Sequence, residues 1–372
     1  MRQGLKHVGS VSFNYLAGIT AGDWWRLLSE NGFAVNPTYW HRAAFITLMS
    51  LVNSHYRRKE ERLYGERVAA TPLVGPPLFV LGHWRSGTSH LHNLLALDAD
   101  QFAYANTYQV VSPHTFLCTE EVNSRRFARL LPHTRPMDNM ALTFDAPQED
   151  EFAVCLNCFR SLYLGISFPR REDHYDRYLT FRDVPTKEIA EWKAALLWFL
   201  KKLTFKYGRT ILLKSPPHTA RIRLLLELFP DARFVHIHRD PYAVFQSFQH
   251  YFDTAVWFTY LQQPNRRQVD ERILKRYTVL YDAYFAERGL IPSGQYHELA
   301  FTDLERDPMD QMRLLYTQLG LPGWDNYEPR LRQYLASIAG YKKNKFVALA
   351  PSLREAVALR WRRSFETWGY PI

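Results

Sequence analysis

The segment from Pro77 to Leu95 constrains the chain more than any other. It opens with the apolar run Leu78-Phe79-Val80-Leu81. That run is too short for a helix and has the length of a strand buried on both faces of a parallel sheet. Gly82 and Gly87 bracket a tight turn in which the backbone can approach a ligand without Cβ interference. Thr88, Ser89 and Asn93 then open a helix whose first N–H groups have no intrahelical acceptor. Strand, glycine loop and helix N-terminus together make an anion site, suited to phosphate or its analogue sulfate.

Set beside the nucleotide-hydrolase loop GxxxxGK[ST], the two glycines have the right spacing and Ser89 falls at the metal-binding hydroxyl. The lysine position, however, holds Thr88, and the cation has moved into the loop as Arg85. Hydroxyls and a guanidinium without that lysine suit a smaller tetrahedral anion better than a magnesium triphosphate.

Two further strand-like runs end in polar loops. Arg209–Lys214 runs into Ser215-Pro216-Pro217-His218 and a helix over Thr219–Phe229. Ala232–His238 runs into Arg239-Asp240-Pro241 and a helix over Tyr242–Tyr251. Helices are expected over Glu120–Leu131, Pro185–Tyr207, Gln268–Arg288 and Asp307–Leu319, with a strand near Gln295–Ala300. Asp98–Pro113 reads as loop, and Pro136–Pro147 as an irregular stretch leading to a helix from Gln148. The βαβ alternation predicts an α/β fold with a central parallel sheet covered on both faces. Residues 1–75 read as a helical N-terminal extension, and 76–372 as the α/β domain with a helical C-terminal segment. Ligands bind such sheets at the carboxyl ends of strands, so the loops of Arg85, Lys214 and Arg239 converge on one crevice.

Arg239 and Ser247, two helical turns beyond it, could hold one phosphate between them. Equally, Arg239 could pair with Asp240 at a capped helix start. The combination resembles sulfotransferases that use 3′-phosphoadenosine 5′-phosphosulfate, whose loop core reads [KR]-S-G-T-[ST], here Arg85-Ser86-Gly87-Thr88-Ser89. Those enzymes also carry an Arg at a strand end and a Ser eight residues later, the separation of Arg239 and Ser247. Phe301-Thr-Asp-Leu-Glu-Arg-Asp-Pro308 is similar to a stretch that follows their last core strand. Gly82–Thr88, Ala146-Pro-Gln-Glu-Asp-Glu-Phe152 and Lys214-Ser-Pro-Pro-His-Thr-Ala220 resemble the microbial branch related to tyrosylprotein-type sulfotransferases.

The resemblance spans Leu78 to Leu319 and implies a P-loop-like three-layer fold with extra N- and C-terminal helices. It implies that Arg85, Ser86, Gly87, Thr88 and Ser89 hold the phosphosulfate, and Arg239 and Ser247 the 3′-phosphate. Lys214 would reach the transferred sulfuryl group, and no metal is needed. The family's two base positions hold other residues: Pro216 stands where cytosolic enzymes have His, and Asn106 and Thr107 where tyrosylprotein relatives have Glu. His218 is the nearest substitute, and one of Glu149, Asp150 and Glu151, Glu149 first, is the other candidate, unless those acids only complement a helix dipole; a base elsewhere stays open. Lys342, Lys343 and Lys345 could close over the cosubstrate or form a solvated basic loop. The other readings are a nucleotide-dependent kinase or hydrolase, and a protein that binds adenosine bisphosphate without turnover.

A net charge of +10 suits a polyanionic cosubstrate, and no aromatic–basic repeat points to nucleic acid. The three cysteines cannot build a disulfide framework, so a reducing, cytoplasmic setting is expected, with Cys155 and Cys158 as buried thiols. No signal-peptide core is found through Leu16, and the apolar run Ala43–Val52 falls short of the roughly 20 residues a spanning helix needs. Trp24-Trp25 and Trp40–Tyr56 leave open a peripheral contact with a membrane, or form a cap on the core. Glu60-Glu61 among basic residues reads as a solvated helix face, and His236 and His238 as structural residues of a strand. The acceptor is a small molecule, lipid or glycan, with a peptide also open; Trp24, Trp25, Trp198, Trp257, Phe258 and Tyr260 could line its pocket or simply pack. No sequence feature sets the oligomeric state.

Overall fold

A computed structural model describes residues 9–10, 14–127, 134, 137–138, 140, 143–265, 268–341, 343–344 and 346–372. The chain divides into two compact units. One comprises Leu73–Tyr104, Tyr207–His250 and Gln268–Ile372, and the other Met1–Pro72, Ala105–Lys206 and Tyr251–Arg267.

The first of these contains a parallel sheet. Its strands among the described residues are β1 (Leu78–Leu81), β2 (Phe102–Tyr104), β3 (Thr210–Lys214), β4 (Arg233–His238) and β5 (Tyr296–Ala300). They lie in the order β2-β3-β1-β4-β5. All four residues of β1 are buried, as a strand covered on both faces requires. Val80 pairs with Lys214 on one side and Val235 on the other, so β1, β3 and β4 end together. On one face, Leu78 and Val80 pack with Leu91, Leu94 and Leu95 of the Thr88–Ala96 helix and with Leu315 and Tyr316 of the Pro308–Gln318 helix. On the other, Phe79 stacks on Phe234 with ring centroids 5.5 Å apart. The α/β expectation with a central parallel sheet is met.

Asp98–Pro113, read as loop, instead holds β2 and a short helix, Thr107–Val111. That helix carries a capping box between Asn106 and Gln109. A three-residue strand and a five-residue helix are too short to impose a period on the sequence. The helix expected from Gln148 begins at Glu151, and the one expected from Glu120 begins at Phe116.

The second unit is helical. The Ala21–Glu30 and Trp40–Ala70 helices are joined by Trp24, whose indole Nε1 donates to Thr47 Oγ1 at 2.9 Å. Arg42, 1% exposed, donates to the carbonyls of Ser10, Trp257 and Tyr260 at 3.0, 2.7 and 2.9 Å. Trp257 and Tyr260 are core residues. Cys155 and Cys158 are buried and in no disulfide. No described helix is long and apolar enough to cross a membrane.

One expectation is overturned in this unit. Glu60 does not lie on a solvated face but is buried, ion-paired with the equally buried Lys202. Lys202 also donates to the Pro113 carbonyl, and Glu60 accepts from the Cys118 N–H at 3.1 Å. Burial lowers the Lys202 pKa and raises that of Glu60, each toward its neutral form. Charge runs mark solvated faces only when no counter-charge arrives from a distant helix, here Thr186–Tyr207. Removing one partner of such a pair strands the other. Lys202→Met should therefore cost about 3–5 kcal/mol in denaturant titration. Adding Glu60→Leu should return most of that loss; a double variant no more stable than the single would remove the pair from the core's energetics.

Candidate active site

The loop after β1 is shaped by residues with positive φ. Gly82 has φ +142°, and a Cβ there would lie 2.6 Å from the Ile237 carbonyl oxygen and 2.8 Å from Ser86 Oγ. Gly87, at φ +104°, precedes the Thr88–Ala96 helix, and a Cβ there would lie 2.3 Å from the Phe301 ring. Between them Arg85 is left-handed at φ +71°, a conformation that costs a non-glycine residue about 1–2 kcal/mol. Ser86 closes the turn, its N–H and Oγ both donating to the His83 carbonyl at 3.2 and 2.7 Å. The Gly82 N–H donates to Thr219 Oγ1 at 2.8 Å, tying the loop to the segment after β3. This bent backbone, followed by a helix start, forms a cradle for an anion.

Cations converge on the cradle from three strand ends. Arg85 Nε donates to Ser247 Oγ at 3.0 Å. Arg239, at the end of β4, donates through Nη1 to the Arg85 carbonyl at 3.3 Å, with its Cζ 4.5 Å from the centroid of Phe301. Lys214, 2% exposed at the end of β3, reaches Ser89 Oγ at 3.5 Å. Burial lowers the Arg239 pKa, and the nearby charge of Arg85 lowers it further. Like charges held this close favour an anion between them. Among the described residues, no group of three or more His, Cys, Asp or Glu side chains is placed to hold a metal ion.

The loop residues Arg85–Ser89, Lys214, Arg239 and Ser247 are thus brought together within one unit. His218 lies in the 3₁₀ turn Pro216–Ala220, fully buried, its ring edge-on to Phe79 at 5.3 Å. Glu149 belongs to the helical unit, just before the Glu151–Cys158 helix, and accepts a hydrogen bond from the Tyr163 hydroxyl. Lys343 pairs with Glu305 at 2.6 Å and lies 5.9 Å from the Phe301 ring centroid; Lys342 and Lys345 fall outside the described residues.

Thr219 and Phe301 are not legible as loop supports, since nothing local marks their contacts. The same holds for the cluster behind β4. Glu298 accepts from Tyr284 and Tyr296 at 2.7 and 3.0 Å and lies 2.8 Å from His236 Nδ1. Burial pushes the Glu298 pKa up, but the His236 hydrogen bond, then the tyrosines, hold it well below the carboxylate range. Trp368 stacks flat on His238 at 4.8 Å, and Tyr370 bonds its Nδ1 at 2.9 Å. Burial, then His236, pushes the His238 pKa down to about 4. Burial takes His83 down to about 3, and its Nδ1 faces the Trp84 carbonyl at 2.8 Å, which fixes the neutral Nδ1–H tautomer.

The profile of the Sulfotransferase family matches residues 76–326. The chain is 40% identical to the omega-hydroxy-beta-dihydromenaquinone-9 sulfotransferase Stf3 of Mycobacterium bovis, covering 95% of this chain and 90% of the relative. The Mycobacterium tuberculosis protein of that name matches with the same identity and coverage. In fold, the chain is similar to the crystal structure of sulfotransferase STF9 from Mycobacterium avium, with TM-score 0.70 and 22% identity over 94% of this chain and 92% of that one. It is also similar to STF1 of Mycobacterium tuberculosis, with TM-score 0.65 and 15% identity over 91% and 92%.

Two outcomes are expected. Gly87→Ala combines a disfavoured φ with a clash on Phe301 and should lower stability by about 1–3 kcal/mol. Gly294→Ala, at φ +81° in open space, should cost only the conformational part, so equal losses in the two variants would dismiss the Phe301 contact. The second outcome concerns acid. His83 and His238 have folded pKa values below the ordinary 6.5, so the unfolded chain binds more protons as pH falls below that value. Stability is then lost from pH 6.5 down toward 4, at up to about 1.4 kcal/mol per pH unit for each group. Melting temperatures recorded from pH 7.5 to 4.5 on wild type and His83→Gln should give a shallower slope for the variant; parallel slopes would clear His83.

Proposed function

The chain belongs to the Sulfotransferase family, and on that premise we propose which of its residues hold 3′-phosphoadenosine 5′-phosphosulfate and move its sulfuryl group. The chain is a transferase, and use of this donor follows from the family. The backbone of Arg85–Thr88, with the hydroxyls of Thr88 and Ser89, holds the phosphosulfate; Arg239 and Ser247 hold the 3′-phosphate. The observation that carries this reading is the contact of Arg85 Nε with Ser247 Oγ, beside Arg239 on the Arg85 carbonyl. It supports two neighbouring anion positions served by one set of cations.

Transfer is in line: an acceptor oxygen forms a bond to sulfur as the bond from sulfur to the bridging phosphate oxygen breaks. Lys214 steadies the moving group, and Arg85 takes up the charge that develops on the leaving phosphate. Side-chain cations thus supply what a metal supplies at triphosphate sites. The acceptor's proton needs a base within reach, and the two candidates are His218, whose buried ring lies against Phe79, and Glu149, which accepts from the Tyr163 hydroxyl.

The relative Stf3 is named for a hydroxylated menaquinone derivative. Its 40% identity over nearly the whole chain supports a lipid-borne hydroxyl as the acceptor here as well. Cysteines outside any disulfide support a cytoplasmic setting.

The test is thermal shift with adenosine 3′,5′-bisphosphate against ATP with magnesium, followed by transfer of labelled sulfate to an isoprenoid alcohol in detergent. The bisphosphate alone should raise the melting temperature. Arg85→Ala should lower turnover on the order of 10²–10³-fold, and whichever of Glu149→Gln and His218→Gln also lowers it identifies the base. A shift with ATP and magnesium alone would replace this reading with the kinase one; binding of the bisphosphate without a product from any alcohol would favour a non-catalytic binder.

A further inference from the structure

The Trp40–Ala70 helix presents two different surfaces to solvent along its 31 residues. Its inward residues, Arg42, Ile46, Ser50 and Asn53, are buried. At 100° per residue, Trp40, Ala44, Leu48 and Leu51 share the opposite face, with Val52 at its edge. All five are exposed, Trp40 by 62% and Leu51 by 59%. Beyond Tyr56 the same outward face becomes mainly basic, carrying Arg58, Lys59 and Arg62 against the single acid Glu66, all exposed. An apolar band continued by a cationic band along one helix is not what core packing produces.

The helix before it adds to the apolar end. Trp24 is turned inward onto Thr47, while its neighbour Trp25 is 68% exposed and meets the ring of Phe33 edge-on at 5.1 Å. Phe33 is itself half-exposed and left-handed, at φ +54°. A bulky aromatic residue rarely adopts that conformation; here the strained backbone holds an exposed ring in place.

We propose that this face docks on the surface of an anionic lipid bilayer, with Trp25, Phe33, Trp40, Leu48 and Leu51 entering the headgroup–acyl boundary and Arg58, Lys59 and Arg62 meeting lipid phosphates. Aromatic and aliphatic side chains supply the insertion, and each cation contributes electrostatic attraction to the anionic leaflet. Charge complementarity selects the occupant: three cations continue the apolar band, as suits a negative surface. Docking gives the enzyme access to an acceptor that resides in lipid, and this purpose rests on the lipid-acceptor reading above. The binding itself does not.

The experiment is co-sedimentation of the full chain with phosphatidylcholine vesicles, with and without phosphatidylglycerol, in the absence of donor and acceptor. Binding should require phosphatidylglycerol and fall with salt. Arg58→Glu/Lys59→Glu/Arg62→Glu should weaken it by roughly a hundredfold, about fivefold for each cation lost. Trp40→Ser/Leu51→Ser should weaken it as well. Both sets lie on exposed positions, so melting temperature and sulfation of a detergent-dispersed alcohol should stay at wild-type values while sulfation of a vesicle-borne alcohol drops. Failure to bind either vesicle, or equal binding by wild type and variants, would overturn the proposal. So would a dimer in sedimentation velocity that the same substitutions dissociate, because the face would then be covered by a second copy. Vesicle binding without sulfation of any lipid alcohol would instead overturn the acceptor reading and leave the docking face standing.

Discussion

Two guanidinium groups in mutual repulsion, Arg85 and Arg239, are the constraint around which the sheet-bearing unit is arranged. Neither position is comfortable in isolation. Arg85 sits in a left-handed backbone conformation, and Arg239 is buried enough that its proton affinity falls. The surroundings hold them there. Ser247 takes the Arg85 Nε, the Arg85 carbonyl takes Arg239, and the Phe301 ring lies against the Arg239 guanidinium. Local strain and like-charge repulsion are characteristic of sites whose ligand supplies the missing term. The doubly phosphorylated sulfuryl donor proposed for this site would supply it.

The glycine contacts show how little freedom the cradle has. Gly82 sits against the backbone of β4 and Gly87 against an aromatic ring, so the loop is built from close approaches, not from slack. Preorganised N–H groups and cations of this kind cost no rearrangement when charge develops on the reacting atoms. Behind them burial keeps His83 and His238 uncharged, and the one ionised group of that cluster, Glu298, is enclosed by hydrogen-bond partners.

Much of this site is legible in the sequence because its parts are local. Four apolar residues, two glycines and a run of hydroxyls fix strand, turn and helix start within one stretch, and Arg239 and Ser247 repeat the logic one strand away. What stayed hidden was decided by partners distant in sequence. Thr219 as the acceptor for Gly82, Phe301 under the loop, and the tyrosines around Glu298 carry no local mark. Glu60 departs from expectation for the same reason: its neighbours in sequence are cations, but its partner is Lys202, on another helix. β2 escaped because three residues cannot display a period.

Phe301 touches both halves of the anion site, filling the space that a side chain at position 87 would need while lying against Arg239. It is also the first residue of the Phe301–Arg306 helix and packs into the same core as Leu304, Met312 and Leu315. An anion that tightens Arg239 therefore presses through one aromatic ring onto a hydrophobic layer that never meets it. Occupancy of the cradle and local opening of the Phe301–Gln318 region become linked equilibria, so that slowed amide exchange in those helices would report a ligand that none of their residues touches except Phe301.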